Sequence, residues 1–173
     1  MKYYYHLVSD NTFKVGDKIE IGKSGNGMWK DVYASTIIKN NPKNELEKDE
    51  ILSQYDFILG ELAAEELRCE EFPNLPSRLK CLYLCDSKQA VEKRVKKFSK
   101  IYNAIGREVT QIIKVSVDNE PYACTQDFLL KTKSNFLEYK DLARKFFLGM
   151  KKGSKANFYM FVGTLTVEKV YKI

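Results

Sequence analysis

His6, the only histidine of the 173-residue chain, follows Tyr3, Tyr4 and Tyr5 in a stretch that also carries Leu7 and Val8. An imidazole can donate or accept a hydrogen bond and titrates near neutral pH, so a lone histidine is either a site residue or a hydrogen-bonded packing residue. Tyr83 lies within KCLYLCDSKQA, where a tyrosine serves as core or as a flat ligand platform. Arg78, just before that run, can grip a phosphate with two parallel hydrogen bonds or pair one of the many glutamates. Two glycines flank an asparagine in KSGNG at residues 23–27, so Ser24, Gly25 and Asn26 belong to a loop whose backbone can approach a ligand closely. Two carboxylates come late in the chain: Glu120, and Asp127 between Gln126 and Phe128, where a solvated loop aspartate is the plain reading. Cys69, Cys81, Cys85 and Cys124 contain no CxxC pair. With one histidine available they argue against a four-ligand zinc site; reduced, packed thiols at Cys81 and Cys85 and no metal are expected.

The elements that must hold these residues centre on 76–98. The apolar run Leu79 to Cys85 reads as a buried strand, and Asp86 with Gln89 has the capping-box spacing that starts a helix. Ala90, Val91, Val95 and Phe98 fall on one face of that helix, with Lys88, Lys93, Arg94, Lys96 and Lys97 mostly on the other. Residues 2–8 read as a first strand, followed by a turn at Gly16 and Asp17 with Ile19 and Ile21 beyond it. Asn44 with Glu47 opens a long helix in which Ile51, Leu52, Tyr55, Ile58, Leu59, Leu62, Ala63 and Leu67 recur at helical spacing up to Arg68. Its acidic face, including Glu61, Glu65 and Glu66, contrasts with the basic helix and predicts charge segregated across the surface. Residues 109–117 alternate as a half-buried strand, 122–128 as a short one, 134–148 form a helix stopped by Gly149, and 157–171 form one long strand after a lysine and glycine turn at 151–153.

Composition allows one domain over residues 1–173: 44% apolar and 13% aromatic residues are enough for a core. The first residues do not read as a secretory leader, and no run approaches the roughly 20 apolar residues of a membrane span, so a cytoplasmic protein with no membrane partner is expected. A net charge of +6 and a pI of about 9.0 favour an anionic partner such as nucleic acid, a phosphorylated ligand or an acidic protein.

In that order, His6 on a first strand within YYHLVS, Gly16, Asp17 and Gly22 after it, Tyr83 on a strand that opens a helix and Asp127 within CTQDFL, the chain resembles the ADP-ribosyltransferase fold. The likeness is to its compact bacterial branch, which includes the rifampicin ADP-ribosyltransferases and related small domains, and in which the motif positions are histidine, tyrosine and aspartate. Glu120 competes with Asp127 for the third position, and the glycine and threonine or serine that many members carry after the histidine are missing. The resemblance implies an α+β core of two small, mostly antiparallel sheets with flanking helices and a cleft for NAD. It implies that Tyr83 stacks on nicotinamide, His6 bonds a ribose hydroxyl, and Asp127 faces the positive charge that grows on the ribose. It also implies that Ser24, Gly25 and Asn26 cradle the diphosphate, with Arg78 or Lys30 as counter-charge. The implied activity is transfer of ADP-ribose from NAD to an acceptor, which can be protein, nucleic acid or a small molecule. Alternatives are an NAD glycohydrolase and a catalytically silent module that binds through the basic helix at 88–100.

Overall fold

The structure, a computed structural model, describes residues 2–9, 11–26, 32, 48–104, 108–124, 134–149 and 158–173. The Asn44/Glu47 capping box, Lys30, Asp127 and the turn at 151–153 lie outside the described residues. In chain order the elements are β1 (Tyr4–Ser9), β2 (Lys18–Ile21), α1 (Lys48–Glu71), β3 (Leu82–Cys85), α2 (Lys88–Ala104), β4 (Val109–Val117), β5 (Tyr122–Cys124), α3 (Phe136–Phe147), β6 (Phe158–Phe161) and β7 (Gly163–Lys172).

The class is α+β, but the two sheets expected are one seven-stranded antiparallel sheet, ordered β2-β7-β4-β1-β3-β6-β5. Between β1 and β3 the ladder is reduced to one residue pair, Tyr5 opposite Cys85. On its other side β1 pairs with β4 from Tyr4 to Ser9, so β1 is firmly held by one neighbour and touches the other at a point.

The long final strand is likewise broken into β6 and β7 at Val162 and Gly163. Gly163 has φ +138°, and a Cβ there would lie 2.5 Å from Asp118 Oδ1 and from Asn119 Nδ2. Only glycine fits such a corner. Asp118 Oδ2 accepts from the Thr164 N–H at 2.8 Å, and Asn119 Nδ2 donates to the Val162 carbonyl at 3.0 Å, fixing the bend. The chain thus leaves the half-sheet β3-β6-β5 and enters the half-sheet β2-β7-β4-β1 in one step, as strands do where a sheet turns a corner.

Across the bend the two halves share one core. Tyr4, Val8, Ile113, Val115, Leu165 and Val167 from one half pack with Leu84 and Phe161 from the other into a cluster that contains no helical residue. Alternation then turns the opposite face toward the helices. Cys85 and Ile112 pack with Val91 of α2. Met160 and Cys124 pack with Ala64 and Leu67 of α1 and with Ala143, Phe146 and Phe147 of α3.

Local details depart from the sequence expectation for identifiable reasons. The strand expected from Leu79 begins at Leu82, because Ser77 draws the chain into a turn: its carbonyl accepts from the N–H groups of Lys80 and Cys81 at 3.2 and 2.9 Å. Ser87, not Asp86, caps α2, its Oγ accepting from the Ala90 N–H at 3.2 Å. In α1, Leu52 and Tyr55 are exposed while Ala63, Ala64 and Leu67 are buried. The acidic face of α1 is largely paired: Glu66 and Glu70 hold Lys140, Glu71 holds Arg144, Glu65 holds Arg68, and Glu61 is buried. No described helix is long and apolar enough to cross a membrane.

Candidate functional site

Beyond the Tyr5–Cys85 pair, β1 and β3 separate, and the gap between them is a cleft of about 250 Å³. Its lining draws on both faces of the sheet. His6, Phe13, Ile19, Ile21, Leu82 and Ile113 come from β1, β2, β3, β4 and the segment before β2, while Cys85, Val91 and Arg94 come from the helix-covered side. The wall at Phe13 is tied to β4 by the buried Gln111, whose Oε1 accepts from the Phe13 N–H at 2.8 Å and whose Nε2 donates to the Phe13 carbonyl at 3.3 Å.

His6 spans the gap. Its Nδ1 lies 2.9 Å from the Tyr83 carbonyl oxygen. A carbonyl only accepts, so Nδ1 carries the proton, and Nε2 of the neutral ring is left as an acceptor. Burial pulls the imidazole's pKa from 6.5 down to about 4; the bond to Tyr83 opposes this and the charge of Arg94 adds to it. The ring is therefore neutral at physiological pH, with its tautomer set by the protein.

Tyr83 supplies this carbonyl from β3, while its ring turns to the helix side and packs near Cys81, Cys124 and Met160. Arg78 and Arg94 lie 5.6 and 5.8 Å from its centroid, and its hydroxyl is buried beside the Cys81 thiol. Burial raises the phenol's pKa far above the ordinary value. Tyr83 meets His6 at the cleft through its backbone carbonyl, and any ring stacked on Tyr83 would share it with Arg94.

Arg78 takes the second of its two sequence readings. Nε and one terminal nitrogen donate to Glu61 at 2.9 and 2.7 Å, both side chains are nearly sealed from solvent, and Arg78 is not part of the cleft wall. Burial lowers its proton affinity, and the Glu61 charge more than offsets this, so it stays protonated. Its carbonyl, with that of Cys81, accepts from Asn26 Nδ2, both at 2.8 Å, while the Asn26 N–H donates to the Leu79 carbonyl at 2.8 Å. Asn26 thus joins the glycine loop to the turn before β3 and lines the cleft; Ser24 is exposed, and neither it nor Gly25 is in the wall.

Glu120 is exposed at the end of the β4–β5 turn, and no carboxylate lines the cleft among the described residues. Cys81, Cys85 and Cys124 are buried free thiols. Burial raises Cys85 and Cys124 to about 11 and Cys81 higher still, so none is a ready nucleophile. No group of histidine, cysteine and carboxylate side chains among the described residues could hold a metal ion.

Sequence reasoning missed Arg94. Helical spacing put it on the solvent face with the lysines, but α2 lies across the joint of the half-sheets and Arg94 reaches the rings of Tyr83 and Phe158, at 5.8 and 5.1 Å from their centroids. A signal was present: Arg94 follows Ala90 and Val91 by four and three positions, the spacing that shares a helix face. The chain belongs to the family described as a protein of unknown function (DUF2441), whose profile matches residues 4–173. No curated protein matches it.

Proposed function

We propose that the protein binds NAD with its nicotinamide end in the cleft between β1 and β3 and transfers ADP-ribose to an acceptor. The observation that carries this reading is the neutral, tautomer-fixed His6 in an otherwise largely apolar gap of the sheet. Its Nε2 is suited to accept from a ribose hydroxyl, and a slot walled by Phe13, Ile19, Ile21 and Leu82 suits a flat heteroaromatic ring. A volume of about 250 Å³ lies below the roughly 300–1,000 Å³ of pockets that enclose a whole ligand, so it takes one end of a dinucleotide and leaves the rest on the surface.

Breaking the bond between nicotinamide and ribose leaves the electron pair with nicotinamide and builds positive charge on the ribose. A nearby carboxylate lowers that barrier, as at glycosidic bonds generally. Asp127, just beyond β5, is the group the resemblance assigns to this task.

The test is incubation with NAD labelled on the adenylate side, alone and with cell lysate or nucleic acid, for the wild type and for His6→Ala. Label on a macromolecule, lost in His6→Ala, supports the reading. Free nicotinamide without transfer identifies a glycohydrolase instead. Neither product, with no NAD-dependent thermal shift, leaves a binding module.

A further inference from the structure

Beside the first turn of α2, the helix-side face of β1, β4 and β7 carries tyrosines interleaved with lysines. Tyr5 stands opposite Lys114, Lys114 opposite Lys169 and Ile112 opposite Tyr171, which puts these residues on the face that holds Ile112. Tyr3, just before β1, is exposed, and Lys114 Nζ lies 3.6 Å from its ring centroid. The half-buried Tyr171 has Lys88 Nζ at 4.8 Å and Lys169 Nζ at 5.2 Å. Lys114 and Lys169 are like charges directly opposite on neighbouring strands, an arrangement that costs a sheet stability, and neither pairs with a carboxylate among the described residues. The adjoining carboxylates have donors of their own: Glu168 accepts from the Ser116 hydroxyl at 2.6 Å and Glu92 from Lys88 at 2.7 Å.

A surface that only attracted anions would need the lysines alone. Flat rings set among them fit a partner that presents unpaired aromatic faces along a polyanionic chain, and aromatic side chains on a sheet face are one way proteins stack such bases. In a duplex the base faces cover one another, and only phosphates would reach the lysines. We propose that this face binds single-stranded nucleic acid, with Tyr3 and Tyr171 stacking bases and Lys114 and Lys169 meeting phosphates. The opposed lysine pair then has a reason, since a phosphate between them relieves the repulsion. An ammonium on a flexible four-carbon stem can swing from a ring to a phosphate, so the lysine–tyrosine contacts leave the surface usable. The interface lies on the sheet beside the start of α2, not along the basic helix, and does not depend on whether NAD occupies the cleft.

Fluorescence anisotropy with labelled oligodeoxythymidine, oligouridine and a duplex of the same length tests this, the first two arms telling DNA from RNA. Wild type is expected to bind at least one single strand more tightly than the duplex, with affinity falling as salt rises. Tyr3→Ala should weaken that binding roughly five- to 150-fold, the span of one stacked base, while Tyr3→Phe keeps it because stacking needs the ring and not the hydroxyl. Lys114→Ala should lower the slope of log affinity against log salt by about 0.7, the share of one phosphate on a single strand. No binding of either strand, a duplex bound as tightly, or a folded Tyr3→Ala protein that binds like wild type overturns the proposal. Polyglutamate competing as well as the unlabelled strand overturns it too, since the face would then suit an acidic protein. Should Tyr3→Ala fail to fold, Lys114→Ala and the single-strand preference decide: an unchanged salt slope refutes the site.

Discussion

Lowering the pH should destabilise this protein through His6. The imidazole has a pKa of about 4 in the fold against 6.5 ordinarily, chiefly because it is buried. Between these values the unfolded chain binds a proton that the folded chain refuses, so stability falls as pH drops through this window and the loss is complete below pH 4. At 1.36 kcal/mol per pH unit the loss is about 2 kcal/mol by pH 5 and about 3 kcal/mol by pH 4. That is a large share of the roughly 5–15 kcal/mol typical of a domain. Because His6 is the only histidine, no other imidazole blurs the window. Urea unfolding of wild type and His6→Gln at half-unit steps from pH 7.5 to 4.5 measures it, since glutamine can still donate to the Tyr83 carbonyl but does not titrate. The two curves should diverge below pH 6.5, with wild type losing the extra stability. Parallel curves down to pH 5 would mean that His6 is solvated, and the fixed tautomer on which the site depends would fall with it.

Glu61→Ala strands the Arg78 guanidinium without its partner and should cost roughly 3–5 kcal/mol in urea unfolding, whereas Glu61→Leu with Arg78→Met should recover most of it. Gly163→Ala should cost at least about 1–3 kcal/mol from its φ of +138° alone, more from the clash with Asp118, and lower the thermal midpoint accordingly. On the proposed NAD reading, Asp127→Asn should lower turnover about a hundredfold or more with little change in NAD affinity, because a carboxylate in that role acts mainly as the ribose becomes cationic. If Glu120→Gln loses nicotinamide release and Asp127→Asn keeps it, the third motif position is Glu120.

Local patterns carried much of the fold. Residues 109–117 alternate in sequence and form β4 with the same bounds, and of Phe136, Tyr139, Ala143, Phe146 and Phe147, which helical spacing puts inward, all but the half-buried Phe136 are buried in α3. What periodicity cannot express is where a strand changes neighbours. Nothing in the alternation of 157–171 signals a corner at Val162 and Gly163 except the glycine itself, and a lone glycine in a strand has several meanings. The same limit explains the site. Arg78 and Arg94 look alike in sequence as cations flanking one strand; only the packing of α1 puts Glu61 within 2.9 Å of Arg78 and leaves Arg94 at the cleft.

The joint between the half-sheets accounts for both the stability cost and the opening. In an unbroken antiparallel ladder the residues after Tyr5 would continue to pair with those before Cys85, and His6 would be one more interior side chain. The Ser77 turn, stapled by Asn26, instead takes the chain off the ladder just before β3, so the Tyr83 carbonyl meets an imidazole across the gap. A half-buried neutral histidine costs stability at acid pH, and an apolar packing residue would not; retaining it makes sense where its second nitrogen has something to bind. Asn26 should therefore matter to the site through geometry: removing its amide would free the turn to extend β3 toward β1, closing the cleft while leaving the three clusters of the core in place.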